Sequence, residues 1–269
     1  MRRSPQLMIA FIIVIFTMVS YLGNRTNNEF TGKVQHLAMT TDQEIAVGLQ
    51  SAPQIAAQYG GESRDASAVA KVQQVGERLL SRAIKQTPYR FQFHLLADRK
   101  TINAFALPGG QVFITEALLR KLHTEGELAG VLGHEMGHVV GRHGAQQLAK
   151  QQLTQGLVGA AGVASYDPDN PGRSMATGQM AQLVASTINM KFGRDDELES
   201  DKLGVRFLAQ AGYDPRAMIG VMKTLQAAGG GGRQPEFFST HPNPENRIAH
   251  IQAAIEQEFS SGIPTGLEP

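Results

Sequence analysis

Residues 125–142 read EGELAGVLGHEMGHVVGR, and the five at their centre, His134-Glu135-Met136-Gly137-His138, decide the fold. An α-helix turns about 100° per residue, so residues four apart share a face, roughly 6 Å apart along the axis. His134 and His138 can therefore aim both imidazoles at one ion, with Glu135 a quarter-turn round and within reach of a water on it. Two histidines holding a metal, and a glutamate placed to take a proton from its water, make the pattern of a zinc hydrolase. The helix has independent support. Leu128, Val131, Leu132, Val139 and Val140 fall near helical spacing, and Thr124 with Glu127 forms a capping box at the start.

A tetrahedral zinc asks for a third protein ligand and, in a catalytic site, an open corner for water. The run Arg194-Asp195-Asp196-Glu197-Leu198-Glu199-Ser200-Asp201 offers carboxylates on a second helix, Glu197 and Asp201 again four apart. The candidate arrangement puts Glu197 on the metal. Asp201, one turn on, would orient a ligand histidine or meet the reacting groups. Spacing alone leaves Asp195, Asp196 and Glu199 as rivals, while Leu198, Leu203, Val205, Phe207 and Leu208 claim much of this helix for the core. The 269 residues include no cysteine, so there is no disulfide framework and no thiolate metal site. A His-His-Glu set with a free corner favours catalysis over architecture.

Three motifs in order, HEMGH (134–138), ELESD (197–201) and STHPNPENR (239–247), resemble the gluzincin zinc metallopeptidases that include HtpX, BepA, LoiP and the CAAX prenyl endopeptidases. A fourth, NAFALPGGQVFIT (103–115), looks like the strand pair that precedes the zinc helix in that family. The likeness runs roughly from Thr31 to Ile255. It implies a mostly helical α+β fold, zincin-like, with a small sheet beside the zinc helix. It also implies that Glu197 is the third ligand of one zinc ion and that Asp201 is the motif's second acid, often assigned proton donation. His241 is expected close to the metal, able to contact it or the oxyanion, with Arg247 in the same pocket as a substrate-binding residue. The implied activity is that of a metalloendopeptidase cutting unfolded or damaged polypeptides in cell-envelope quality control. The competing expectation is a zinc-containing chaperone or adaptor that holds envelope proteins without cleaving them. Asn103, Ala104 and Phe105 mark the candidate substrate-binding edge, where an extended peptide could add a strand. The plainer alternative is an edge covered by its own chain.

Composition bounds the rest. A formal net charge of +1 with no basic stripe gives no reason to expect nucleic-acid binding, and 42% hydrophobic residues suffice for a real core. At the N-terminus Arg2 and Arg3 precede an apolar run from Leu7 to Leu22, broken only by Thr17, Ser20 and Tyr21. Such a helix covers about 24 Å, and Pro5 to Gly23 could span a ~30 Å hydrocarbon layer with adjustment. No small-x-small cleavage pattern follows, which favours an uncleaved anchor over a signal peptide. The arginines should stay in the cytoplasm. The expected location is therefore an inner-membrane anchor with a periplasmic catalytic domain, or the periplasm if the segment is cleaved. Expected partners are polypeptide substrates, the membrane at the N-terminal segment, and other envelope proteins.

The chain divides into an anchor or signal segment (1–23), a polar linker (24–40), a metallopeptidase domain (41–258) and a Gly/Pro-containing tail (259–269). Within the domain Thr41 and Glu44 form a second capping box, opening a helix that Gly60-Gly61 ends. Asp65 starts another, to about Ile84, with a stripe of Val69, Val72, Val75, Leu79 and Leu80. Arg90 to Leu96 alternates as a strand, and Phe105-Leu107 and Gln111-Thr115 flank a turn at Pro108-Gly110. Gln147 to Ala164 is helical and too short in apolar residues to cross a bilayer; with a loop at Tyr166 to Arg173 it suggests a packed hairpin. Asp214 starts a helix to about Ala228, and Gly229 to Gly232 forms a flexible link that could let His241 approach or leave the zinc. His143, about 140° round from His138 on a continued helix, reads as a helix-end or packing residue and a poor co-ligand. His36, His94, His123 and His250 read as surface or packing residues.

Overall fold

The computed structural model describes residues 5–84, 86–164, 192–229, 234–242 and 246–269. In chain order come α1 (Pro5–Gly23), β1 (Arg25–Asn27), β2 (Val34–His36), α2 (Thr41–Gln58) and α3 (Ala66–Ala83). Three strands follow, β3 (Gln92–Leu96), β4 (Ala104–Leu107) and β5 (Gln111–Thr115), then α4 (Glu116–Leu119), α5 (Glu125–Val140) and α6 (His143–Ala164). The described chain resumes with α7 (Arg194–Ala211), α8 (Ala217–Ala228), α9 (Phe237–Thr240) and α10 (Arg247–Glu258). The fold is α+β and mostly helical. The expected loop at Tyr166–Arg173, the second arm of the expected hairpin, and residues 230–232 of the glycine link lie outside the described residues.

The chain forms two compact units, one from residues 1–40 and 144–191, the other from 41–143 and 192–269. In the first, α1 is almost wholly exposed, and it is long and apolar enough to cross a membrane. The stretch expected to be a linker is instead partly structured. β1 and β2 pair antiparallel, with Arg25 opposite His36, and the Asn28 carboxamide oxygen accepts from the backbone N–H groups of Phe30 and Thr31 to close the turn between them. This Asx turn is what a polar NRTNNEFTGK segment offers besides disorder. The His36 ring stacks on Tyr21, centroids 4.4 Å apart, so His36 is a packing residue.

In the second unit α5 runs through the core. Every residue from Gly126 to Val140 is buried, as a helix apolar on most of its circumference requires. Thr124 Oγ1 accepts from the Glu127 backbone N–H at 3.1 Å, and the Glu127 carboxylate reaches back to the N–H of His123 rather than of Thr124. The most extensive helix pairing sets α5 against α7. Small residues permit it. A Cβ on Gly137 would stand 2.6 Å from Ser200 Oγ, and one on Gly204 would press on the His134 backbone nitrogen at 3.4 Å. Ser200 Oγ in turn donates to the His134 carbonyl.

The sheet lies beside α5 in the order β3-β5-β4, β3 parallel and β4 antiparallel to β5. The β4–β5 turn holds Gly109 at φ +84°, where a side chain would collide with the Ile45 backbone of α2. Asp65 caps α3, accepting from Ala68 N–H at 3.1 Å, and Val72, Val75 and Leu79 are buried while Val69 and Leu80 are half-buried. Glu44 does not serve as a cap. Its buried carboxylate accepts from Arg142 Nε at 2.8 Å and from the Tyr89 hydroxyl at 3.3 Å. Residues of the expected tail are docked: the Asp214 N–H donates to the Glu268 carbonyl at 2.7 Å and the Gly126 N–H to that of Pro269 at 2.9 Å.

Candidate metal centre

Three elements of the second unit supply the centre: α5 gives His134, Glu135 and His138, α7 gives Glu197 and Asp201, and the turn after α9 gives His241. The Nε2 atoms of His134 and His138 are 3.1 Å apart. Glu197 carboxylate oxygens stand 3.4 Å from His138 Nε2 and 3.6 Å from His134 Nε2. His241 Nδ1 lies 3.0 Å from Glu197 Oε1 and 3.4 Å from His134 Nε2. These four donor atoms all fall within 4.8 Å of one another. Metal bonds of about 2.0–2.1 Å in a tetrahedron put ligand atoms roughly 3.3 Å apart, which most of these separations approach. Lone pairs converging on one buried point repel unless a cation sits among them. The residues present fit a zinc ion.

The second acid of ELESD sets the orientation. His134 Nδ1 donates to Asp201 Oδ1 at 2.9 Å, which leaves Nε2 unprotonated toward the metal point. Arg247 clamps Asp201 with two hydrogen bonds, Nε to Oδ2 at 2.7 Å and Nη2 to Oδ1 at 2.8 Å, and its Nη1 lies 3.1 Å from Glu197 Oε2. Burial works against the Asp201 charge, but Arg247 outweighs it and holds the carboxyl below its usual range. Burial likewise opposes the Glu197 charge, and the His138, His241 and His134 imidazoles around it outweigh that penalty, so this carboxylate is ionised. Burial pushes the His138 imidazole well below its ordinary value, toward the neutral form that ligates. Glu135 behaves differently. Burial raises its carboxyl, the His241 and His134 imidazoles offset this only in part, and neither carboxylate oxygen has a hydrogen bond among the described residues.

The rival acids are spent elsewhere. Asp195 is exposed, Asp196 Oδ2 accepts from the Gly193 N–H at the start of α7, and Glu199 Oε2 meets His143 Nε2 at 3.1 Å. Arg247, expected against a substrate, is instead buried and committed to Asp201 and Glu197. At the expected peptide edge the side chains of Asn103 and Ala104 are buried, and the Phe105 ring stacks on Phe113 with centroids 5.0 Å apart. What β4 leaves for a peptide is its backbone, since among the described residues it pairs with β5 alone. The Ile102 carbonyl just before it accepts from the Phe237 N–H at 3.2 Å, tying the edge to the short helix that precedes His241. Sequence reasoning missed Phe192, which stacks on His138 at 4.2 Å, and Phe237, which stacks on His241 at 4.5 Å. Both rings pack against imidazoles of the centre. Lone aromatic residues outside any motif carry no signal that would have singled them out.

Comparison with known proteins agrees with this geometry. The model of peptidase family M48 matches residues 66–255. The beta-barrel assembly-enhancing protease of Escherichia coli K12 is 38% identical over 192 residues, 69% of this chain and 38% of that one. The mitochondrial metalloendopeptidase OMA1 of Schizosaccharomyces pombe is 34% identical over 193 residues, 68% of this chain and 54% of that one. Metalloprotease YcaL of E. coli K12 is 30% identical over 178 residues, 66% of each chain. The chain thus spans well under half the length of the first of these relatives.

Proposed function

This chain belongs to peptidase family M48, and from that premise we propose that it is a zinc-dependent endopeptidase that hydrolyses peptide bonds in unfolded or damaged cell-envelope proteins. The observation that carries the proposal is Glu135: a buried carboxylate with no hydrogen bond among the described residues, set beside four converging donor atoms. A structural metal site has no use for such a group, and a hydrolase does. We assign residues 41–258 to the catalytic domain and residues 1–23 to membrane attachment, with the domain on the periplasmic side. The name of the E. coli relative, beta-barrel assembly-enhancing protease, suggests other envelope proteins as partners.

His134, His138 and Glu197 would hold the ion; when bound, zinc supplies a Lewis acid that polarises the scissile carbonyl and makes a water acidic near neutrality. Glu135 accepts the proton from that water and returns it to the leaving amine; its raised affinity for protons suits both transfers. Asp201, held by Arg247, keeps His134 in its ligating tautomer. His241 has two positions to serve. In this structure its Nδ1 would be a fourth donor to the ion, with Nε2 3.5 Å from Glu135 Oε1. Withdrawn from there, it would leave room for water and could support the oxyanion, a role worth about 10²–10³ in rate. An extended substrate strand would lie on the β4 edge.

Cleavage of unfolded casein by the purified protein tests the proposal. Wild type should cut, a chelator should stop it and zinc should restore it. Glu135→Gln should keep zinc and lose cleavage, whereas His134→Ala and Glu197→Ala should lose the metal too. A Glu135→Gln protein as fast as wild type would sink the mechanism. A wild type that binds casein without cutting it points instead to the chaperone reading.

A further inference from the structure

Helix α5 does not continue through His143. Gly141 ends it, Arg142 takes a left-handed backbone at φ +56°, and the chain restarts as α6 with the His143 ring folded back toward the centre. Three features build this reversal. The buried Glu44 carboxylate anchors the Arg142 guanidinium, holding a conformation that side chains rarely adopt. Gly141 leaves the space the ring needs, because a Cβ there would stand 2.5 Å from His143 Nε2. The ring itself is fully buried, against Phe192 and His138. Its Nδ1 lies 2.8 Å from His138 Nδ1, and its Nε2 lies 3.1 Å from Glu199 Oε2.

With His138 as a metal ligand, one proton arrangement satisfies both contacts. If His138 Nε2 faces the metal unprotonated, His138 Nδ1 carries the proton and donates it to His143 Nδ1. His143 then carries its own proton on Nε2 and donates to the Glu199 carboxylate. The reverse arrangement would put a proton on His138 Nε2, where it would block ligation, and would turn a bare imidazole nitrogen against a carboxylate. His134 Nδ1 has the Asp201 carboxylate directly behind it, while among the described residues His138 Nδ1 meets an imidazole, and the carboxylate of Glu199 lies beyond that ring.

We propose that His143 and Glu199 form a positioning relay that locks His138 in its metal-ligating tautomer, matching on α6 and α7 what Asp201 and Arg247 do for His134. The proposal rests on His138 being a zinc ligand. Loss of such outer partners typically weakens metal affinity about 10–100-fold.

The test is zinc affinity of the full chain, measured by competition with a chromophoric chelator, alongside the visible spectrum of the cobalt-loaded protein. His143→Phe, which keeps a ring and loses the acceptor, should weaken zinc about 10–100-fold and alter the cobalt spectrum. Glu199→Ala should weaken it less, and Glu199→Gln, which still accepts from His143 Nε2, should restore most of the loss. Gly141→Ala should act like His143→Phe by displacing the ring. A long-range ¹⁵N–¹H correlation of the zinc form should show His143 protonated on Nε2. If His143→Phe does not fold, the Glu199 pair carries the test, because that side chain reaches solvent. Wild-type affinity in His143→Phe or in Glu199→Ala, with His138→Ala losing zinc, would overturn the relay alone. Full affinity in His138→Ala would overturn the metal-centre reading and the relay with it.

Discussion

At the scale of single residues, the centre is a set of charges that tolerate burial only together. Arg247 answers both Asp201 and Glu197, so Arg247→Met would strand two buried carboxylates. The expected cost is about 3–5 kcal/mol, read from urea unfolding. The acid side follows from Asp201. Its carboxyl binds protons more weakly folded than unfolded, so its stabilisation is present above the unfolded value near 4 and is lost as pH falls through the folded one. The stability gap between wild type and Asp201→Asn, measured on chelator-treated protein, should therefore narrow below about pH 4. At this scale the sequence was legible where spacing on one helix sets geometry: HEMGH and the Glu197/Asp201 pair needed only helical periodicity. Spacing alone did not choose Glu197 among four neighbouring acids; the fold does, leaving Asp195 exposed, Asp196 capping its own helix and Glu199 beside His143. His143 is a buried helix-end residue outside the donor cluster, as read, but its contact with His138 was not legible, because the angular argument assumed one helix where the chain has two.

At the scale of elements, the α5–α7 crossing fixes the distance from the histidines to Glu197. Gly137→Ala would drive a methyl group into Ser200 and push the helices apart. We expect a loss of about 1–3 kcal/mol together with weaker zinc binding, by calorimetry and chelator competition. Gly159 on α6 is the control, since a Cβ there meets nothing within 4 Å. Gly159→Ala should stabilise that exposed helix by about 0.5–1 kcal/mol and leave zinc unchanged. Helix cores and starts were readable from apolar stripes and from Asp65 and Thr124. The β1–β2 ribbon was not, because its strands are three residues long and mostly polar, and pairing rather than patterning makes them.

At the scale of the whole molecule, α1 decides how the protein meets its surroundings. Its exposed apolar surface predicts that the intact chain sediments with membranes and resists extraction by alkaline carbonate. A soluble periplasmic product beginning near residue 24 would identify a signal segment instead. Mostly helical α+β architecture and a small sheet beside the zinc helix could be read ahead of the structure because four ordered motifs constrain the domain at distant points. The parallel placement of β3 on β5 could not, since a lone alternating strand does not say which neighbour it will choose.

The groups at the centre come from far apart in the chain, 113 positions separating His134 from Arg247. Joining ends so distant is entropically costly and belongs late in folding. A growing polypeptide owns its two histidines long before the clamp that steadies them has left the ribosome. The pair gains that support when Asp201 and Arg247 have both been made and folded against α5.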